Sequence, residues 1–380
     1  MPSNKIAFIK RGSFSNINDN VLEALLREFP DYHIEVLDIL DLIPGSHPSQ
    51  KFRILSHLYA YKEFGWWLVT GREKMNGAGG CKIRTAYFFA TLNAAIRRYL
   101  AKDKYRFTFQ TQSLFDASIR GTPHFVYTDQ TERECLNYPD FDKSNLLPDS
   151  WLEREATIYH NADRVFTMSH NVSGCLIHNY GCTPEKVVCV GAGYNAPPQE
   201  DTPASINRYA NRNILFVGKQ WERKGGPQLV EAFRRVSQLQ PEAQLTIVGC
   251  SPLLDLGNCN VVGQVPVSQV GHFYKRASVF CLPTRREAFG IAFIEAFAYK
   301  LPVVAPRFGP IPDFVRDGEN GYLVEPGNTE QLVDRLCDLL NNPRKAEQFG
   351  ENGYRLVQEK YNWRAVGTLM RESIERVLET

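Results

Sequence analysis

The chain has 380 residues, 43% of them hydrophobic and 23% charged, with a formal net charge of +2. That length exceeds what one core usually organises and implies two domains of an ordinary globular protein, while the near-neutral charge argues against a wholesale nucleic-acid binder. The 9 cysteines include no C-x-x-C pair, so reduced thiols in a cytosolic compartment are expected, not a disulfide framework or zinc site. A strand begins at Lys5 and no apolar run approaches the roughly 18 residues of a membrane span, so neither a signal peptide nor a span is expected.

Lys5 to Lys10 reads as a short apolar strand, Val21 to Phe29 as a helix and Ile34 to Leu37 as a second strand, a βαβ opening. Gly12 on the first loop is a candidate for close backbone approach to a ligand, although no G-x-G-x-x-G dinucleotide fingerprint stands there. Residues 47–106 then carry twelve Lys and Arg against Glu63, Glu73 and Asp103, interleaved with aromatics such as Phe64, Trp66, Phe88 and Phe89. Two readings stay open. Either the segment contacts an anionic membrane surface, or it forms two amphipathic helices with core aromatics and solvated cations.

Strands are expected at Tyr105 to Gln110 and His124 to Tyr127, and the second leads to Asp129, a cleft candidate because strand ends face the ligand crevice in open α/β sheets. A helix over Glu153 to Asn161 and strands at Arg164 to Met168 and Val187 to Val190 follow. Gly191-Ala192-Gly193-Tyr194-Asn195-Ala196 satisfies a dinucleotide pattern, but Pro197-Pro198 prevents the helix that its physics requires. A hinge is expected instead, within a linker over 196–209.

The βα pattern restarts with a strand over Asn213 to Gly218, a loop to Gly226 and a helix from Pro227 to Val236, Pro being tolerated in the first turn. Lys219, Arg223 and Lys224 with Gly218, Gly225 and Gly226 make this loop suited to a diphosphate; a solvated basic turn is the plainer reading. Strands continue at Leu245 to Gly249, Val261 to Gly263, Val279 to Leu282, Pro302 to Ala305 and Gly321 to Val324, and Trp363 to Leu378 closes the chain as an amphipathic helix. After Pro283 comes Arg285-Arg286-Glu287-Ala288-Phe289-Gly290-Ile291, a strand-to-helix loop where free N–H groups favour an anion. Glu287 and Glu295 suit hydroxyl donors such as ribose or sugar; otherwise Glu287 is a solvated loop residue and Glu295 a helix-surface one.

Together, Phe216-Val217-Gly218-Lys219, Lys224-Gly225, Leu245 to Gly249, the E-x7-E pair Glu287 and Glu295, Leu301 to Ala305 and Asp317 to Val324 resemble the retaining nucleotide-sugar transferases of glycosyltransferase family 4. The resemblance covers about 150 residues specifically and the N-terminal half more weakly. It implies a GT-B architecture, an α/β fold of two Rossmann-like domains facing across a cleft. An acceptor-binding domain would span 1–195 and a donor-binding domain 210–360, with the helix of 361–380 packing back on the first.

The resemblance further implies transfer of a sugar from a nucleoside diphosphate sugar, a co-substrate and not a cofactor, to an acceptor hydroxyl of a glycan, lipid or small molecule, without a metal. Lys219 and Lys224 would hold the diphosphate, Glu295 the ribose and Glu287 the donor sugar. The N–H groups of Phe289, Gly290 and Ile291 would contact sugar and phosphate, Gly218 and Val265 would join the nucleotide site, and Gly12 would approach from the other domain. Lys219 stands where the family usually has Arg, giving a point charge for a bidentate fork. Asp129 stands near a position where many members carry His, which leaves its role between donor and acceptor open. A cytoplasmic enzyme is implied, peripheral on a membrane if 47–106 contacts one. The competing class is a non-catalytic subunit of the same fold that binds nucleotide or glycan; a dehydrogenase is undercut by the failed glycine fingerprints.

Overall fold

A computed structural model describes residues 3–14, 17–42, 50–69, 77–195 and 207–379. The chain divides into two compact units, one comprising Met1–Leu136, Phe141–Val190 and Gly367–Thr380, the other Asn137–Asp140 and Gly191–Val366. Most of the expected linker, 196–206, lies outside the described residues.

In the first unit the elements run β1 (Lys5–Lys10), α1 (Ile17–Glu28), β2 (His33–Asp38), α2 (Gln50–Val69), α3 (Gly77–Arg84), α4 (Ala86–Leu100), β3 (Phe107–Thr111), β4 (His124–Thr128), α5 (Asp149–Asn161), β5 (Arg164–Thr167), α6 (His170–Tyr180) and β6 (Val187–Cys189). The sheet order is β2-β1-β3-β4-β5-β6, parallel throughout. Burial on both faces explains why its strands read as continuous apolar runs. Phe8, Phe109, Phe125 and Phe166 are fully buried and stack in pairs, Phe8 on Phe109, Phe109 on Phe166 and Phe125 on Phe166, at centroid distances near 6.0 Å.

Among its described residues the basic aromatic segment forms three helices, not two; Thr85 caps α4 by accepting from the Phe88 N–H and so starts a new helix directly after α3. Phe64, Phe88 and Phe89 are buried, so those aromatics belong to the core. α2 also bends at Phe64, where φ and ψ are −127° and 16°, one residue before Gly65.

The second unit runs α7 (Asn207–Ala210), β7 (Asn213–Val217), α8 (Gly226–Leu239), β8 (Gln244–Val248), β9 (Cys259–Gly263), α9 (Val267–Arg276), β10 (Val279–Cys281), α10 (Ile291–Ala298), β11 (Val303–Pro306), β12 (Gly321–Val324), α11 (Thr329–Asn341), α12 (Pro343–Glu359) and α13 (Trp363–Leu378). Its order, β12-β11-β10-β7-β8-β9, is that of a doubly wound dinucleotide-binding sheet. Residues 207–209, expected in the linker, fold into α7, whose buried Tyr209 donates to the Lys300 carbonyl at 2.7 Å.

Gly191 and Gly193 open no helix. Instead they make room for aromatics: a Cβ on Gly193 would come within 2.6 Å of Trp363, and the Trp363 indole donates to the Tyr194 carbonyl at 3.0 Å. In α13, residues through Val366 belong to the second unit and those from Gly367 to the first, where Gly367 lies against Ala24 and Glu28 of α1.

Candidate active site

In an open parallel sheet, ligands bind beyond the carboxyl ends of the strands where the strand order reverses. In the second unit that point lies between β7 and β10, which are hydrogen-bonded neighbours in the register Val279↔Ile214 and Phe280↔Leu215. The loops leaving these two strands carry Lys219 to Gly225 and Pro283 to Gly290. Residues far apart in sequence therefore meet.

Lys224 and Glu287 form an ion pair, Nζ to Oε2 at 2.5 Å, with side chains only 13% and 8% exposed. The Lys224 stem lies over Gly218, where a Cβ would stand 3.1 Å from its Cγ. Burial lowers the Lys224 pKa, Glu287 acting in the opposite direction. The Lys224 amine is thus buried against a single carboxylate, an arrangement that an incoming anion can compete for.

Hydrogen bonds to main-chain carbonyls hold the two loops together and brace the second. The Arg285 N–H donates to the Arg223 carbonyl at 2.8 Å, the Arg223 guanidinium donates to the Arg286 carbonyl at 2.6 Å, and the Thr284 hydroxyl donates to the same carbonyl at 2.9 Å. Gly225 has φ of +75° and a Cβ there would overlap the Pro283 carbonyl oxygen, so only glycine lets the loops approach this closely.

Beyond Glu287 the chain turns through Gly290, φ +108°, into α10, and no side chain caps that helix. The first turn of a helix lacks i−4 carbonyl partners and carries the positive end of the dipole; here the Phe293 N–H turns back to the Gly290 carbonyl at 2.9 Å. The Phe289 side chain is buried against Phe314, centroids 5.6 Å apart, which leaves only its backbone to serve a ligand; Ile291 is half-buried.

Glu295 is 9% exposed and accepts from the Tyr274 hydroxyl at 3.2 Å; the Tyr274 pKa is raised by burial first and by Glu295 second. Glu287, at 6%, is no solvated loop residue, and Glu295 is no surface one. Lys219 is exposed, with no ion pair among the described residues, and Val265 is half-buried on the loop between β9 and α9.

Two further candidates lie in the first unit. Gly12 has φ of +58°; its N–H donates to Asp38 at 3.1 Å and its carbonyl accepts from Asn18 at 2.6 Å. Asp129 stands half-buried just past the carboxyl end of β4. Sequence reasoning missed Tyr274, whose signal was its place on the inner face of α9, and Tyr138, whose hydroxyl reaches the Glu287 carbonyl at 3.0 Å from 149 residues away. No local pattern marks such a contact.

The family model described as Glycosyl transferases group 1 matches residues 199–356. That stretch is a group 1 glycosyl transferase domain. Among relatives, D-inositol 3-phosphate glycosyltransferase of Thermobifida fusca is 28% identical over 261 residues, 61% of this chain and 59% of that protein. The chain spans 63%, 47% and 59% of the length of three curated relatives it matches. Sucrose-phosphate synthase from Thermosynechococcus elongatus shares the fold at a TM-score of 0.71 and 20% identity over 99% of each chain. Anabaena HepE in complex with UDP and glucose does so at 0.64 and 14%, over 97% of this chain and 99% of its own. The group 1 domain therefore belongs to a chain of the GT-B class, two Rossmann-like domains in sequence, as the resemblance implied.

Proposed function

We propose that the chain transfers a glycosyl group from a nucleoside diphosphate sugar to an acceptor hydroxyl, with retention at the anomeric carbon and without a metal. The observation that carries this is the buried Lys224–Glu287 pair at the β7/β10 switch point, beside the uncapped amino end of α10. Negative charge grows on the leaving diphosphate in the transition state, and Lys224, Lys219 and the α10 N–H groups are the donors that stabilise it. As the diphosphate draws Lys224 away, the Glu287 carboxylate is released to accept from donor-sugar hydroxyls. Glu295, steered by Tyr274, takes the ribose hydroxyls.

The test is turnover of radiolabelled UDP-glucose, GDP-mannose and ADP-glucose. Release of the nucleoside diphosphate from one of them, lost in Glu287→Gln, is the expected result. Tight binding of a donor with neither hydrolysis nor transfer favours a non-catalytic subunit instead.

For the acceptor we favour a lipid or lipid-linked glycan met at an anionic membrane surface. Ile54, Leu58 and Tyr61 are 51%, 58% and 67% exposed on α2 at a spacing that puts them on one helix face, within the segment of twelve cations and three acids. No helix among the described residues is long and apolar enough to cross a membrane. Flotation with anionic liposomes should be salt-sensitive and should fall in the Ile54→Ser/Leu58→Ser variant; salt-independent or absent flotation counts against a membrane acceptor.

A further inference from the structure

Tyr138 lies in Asn137–Asp140, a four-residue segment that belongs to the second unit although the chain on both sides belongs to the first. Its side chain is 4% exposed. The ring stands edge-on to Phe308, centroids 5.9 Å apart, and the hydroxyl donates to the main-chain carbonyl of Glu287 at 3.0 Å. Two residues later Asp140 accepts from Arg285 Nε at 3.0 Å and Nη2 at 2.8 Å. The segment thus grips the Glu287 loop at two points.

The two grips are unequal. Asp140 and Arg285 are 59% and 57% exposed, and such pairs contribute little. The Tyr138 bond is buried, and it falls on a main-chain atom that no ligand competes for. Lys224, by contrast, holds the Glu287 carboxylate, and a diphosphate would take that cation.

From this we infer that Tyr138 is a positioning residue: it fixes the main chain of Glu287 so that the carboxylate keeps its place when Lys224 exchanges it for phosphate. The inference rests on the function proposed above. Arg223 and Thr284 hold the Arg286 carbonyl, one residue earlier, so the peptide unit that carries Glu287 onward depends on Tyr138.

Tyr138→Phe tests this because it keeps the ring against Phe308 and removes only the hydroxyl. The donor among UDP-glucose, GDP-mannose and ADP-glucose that the wild type turns over should show kcat reduced about 5- to 10-fold, the worth of one buried hydrogen bond. KM and the affinity for the free nucleoside diphosphate should stay within about twofold, since a positional loss acts in the transition state. Amide exchange across residues 287–290 should quicken, while Asp140→Asn should leave both readouts near wild type.

Wild-type exchange at that loop, or wild-type kcat, in Tyr138→Phe overturns the assignment. A wild-type protein that binds none of the three donors refutes the proposed function instead, and the exchange comparison then decides the positioning role by itself.

Discussion

The strand order of each sheet reverses once, between β1 and β3 in the first unit and between β7 and β10 in the second, yet the two units bury different chemistry. The second sheet's loops bring a cation and a carboxylate into one ion pair, Lys224 with Glu287. The turn after β1 carries the half-buried Arg11 and ties Gly12 to Asp38 and Asn18, and on α5 a buried carboxylate, Glu155, accepts from neutral donors near the Glu132 side chain. The Tyr180 hydroxyl donates to it, as do the Tyr159 hydroxyl at 3.1 Å and the Glu132 N–H at 3.1 Å. Burial raises the Glu155 pKa to about 7. The two sheets, whose strand orders differ, thus bury a cation–carboxylate pair in one unit and a carboxylate held by neutral donors in the other.

Glycine substitution should separate the two switch points most sharply. Gly225→Ala places a side chain at φ +75° into the Pro283 carbonyl and should cost about 3 kcal/mol or more by urea denaturation. Gly12→Ala also strains its φ, but its Cβ meets only Leu40 at 3.7 Å, and about 1 kcal/mol is expected. Equal losses would mean that the close loop contact in the second unit is not what the glycine serves.

Removing charge comes next. Lys224→Ala should lower kcat roughly 10²-fold, as losing one transition-state donor does. It should also destabilise the fold by about 2 kcal/mol, because Glu287 is left buried and unpaired. Adding Glu287→Ala should restore part of that stability and none of the activity. Lys219→Ala, at an exposed cation, should weaken donor binding with little change in stability. A Lys224→Ala enzyme of normal kcat would erase the contrast between the units.

The smallest effect concerns Glu155. Its folded pKa, about 7, lies above its ordinary value of 4.5, so the folded state binds the extra proton between those values. This contribution to stability is fully present below about pH 4.5 and is lost as pH rises to about 7, opposite in sign to that of a salt-bridged carboxylate. Denaturation at pH 5 and pH 7.5 should show a fall of about 1–3 kcal/mol in the wild type that Glu155→Gln lacks, whatever its absolute stability. An identical fall in both proteins would place the titration elsewhere.

Strands of both sheets were legible because parallel strands covered on both faces leave uninterrupted apolar runs such as Ile6 to Ile9 and Val303 to Ala305. The loops at the second switch point were legible as glycine- and charge-rich turns at strand ends, where a solvated basic turn stood as the alternative reading. Side-chain pairing was not. Lys224 and Glu287 are 63 residues apart, and only the adjacency of β7 and β10 joins them. The excursion of Asn137–Asp140 into the second unit leaves no periodic trace, and the third described helix in 47–106 starts at a single cap, Thr85.

The central claim, that the β7/β10 switch point receives a nucleoside diphosphate sugar, is tested most directly by thermal unfolding with UDP-, GDP- and ADP-sugars. One nucleotide class should raise the Tm of the wild type and of Glu155→Gln by RT ln(1 + [L]/Kd) at the unfolding temperature, and the rise should vanish in Lys224→Ala. A Tm that no nucleotide sugar moves, or a rise that survives in Lys224→Ala, would contradict the account.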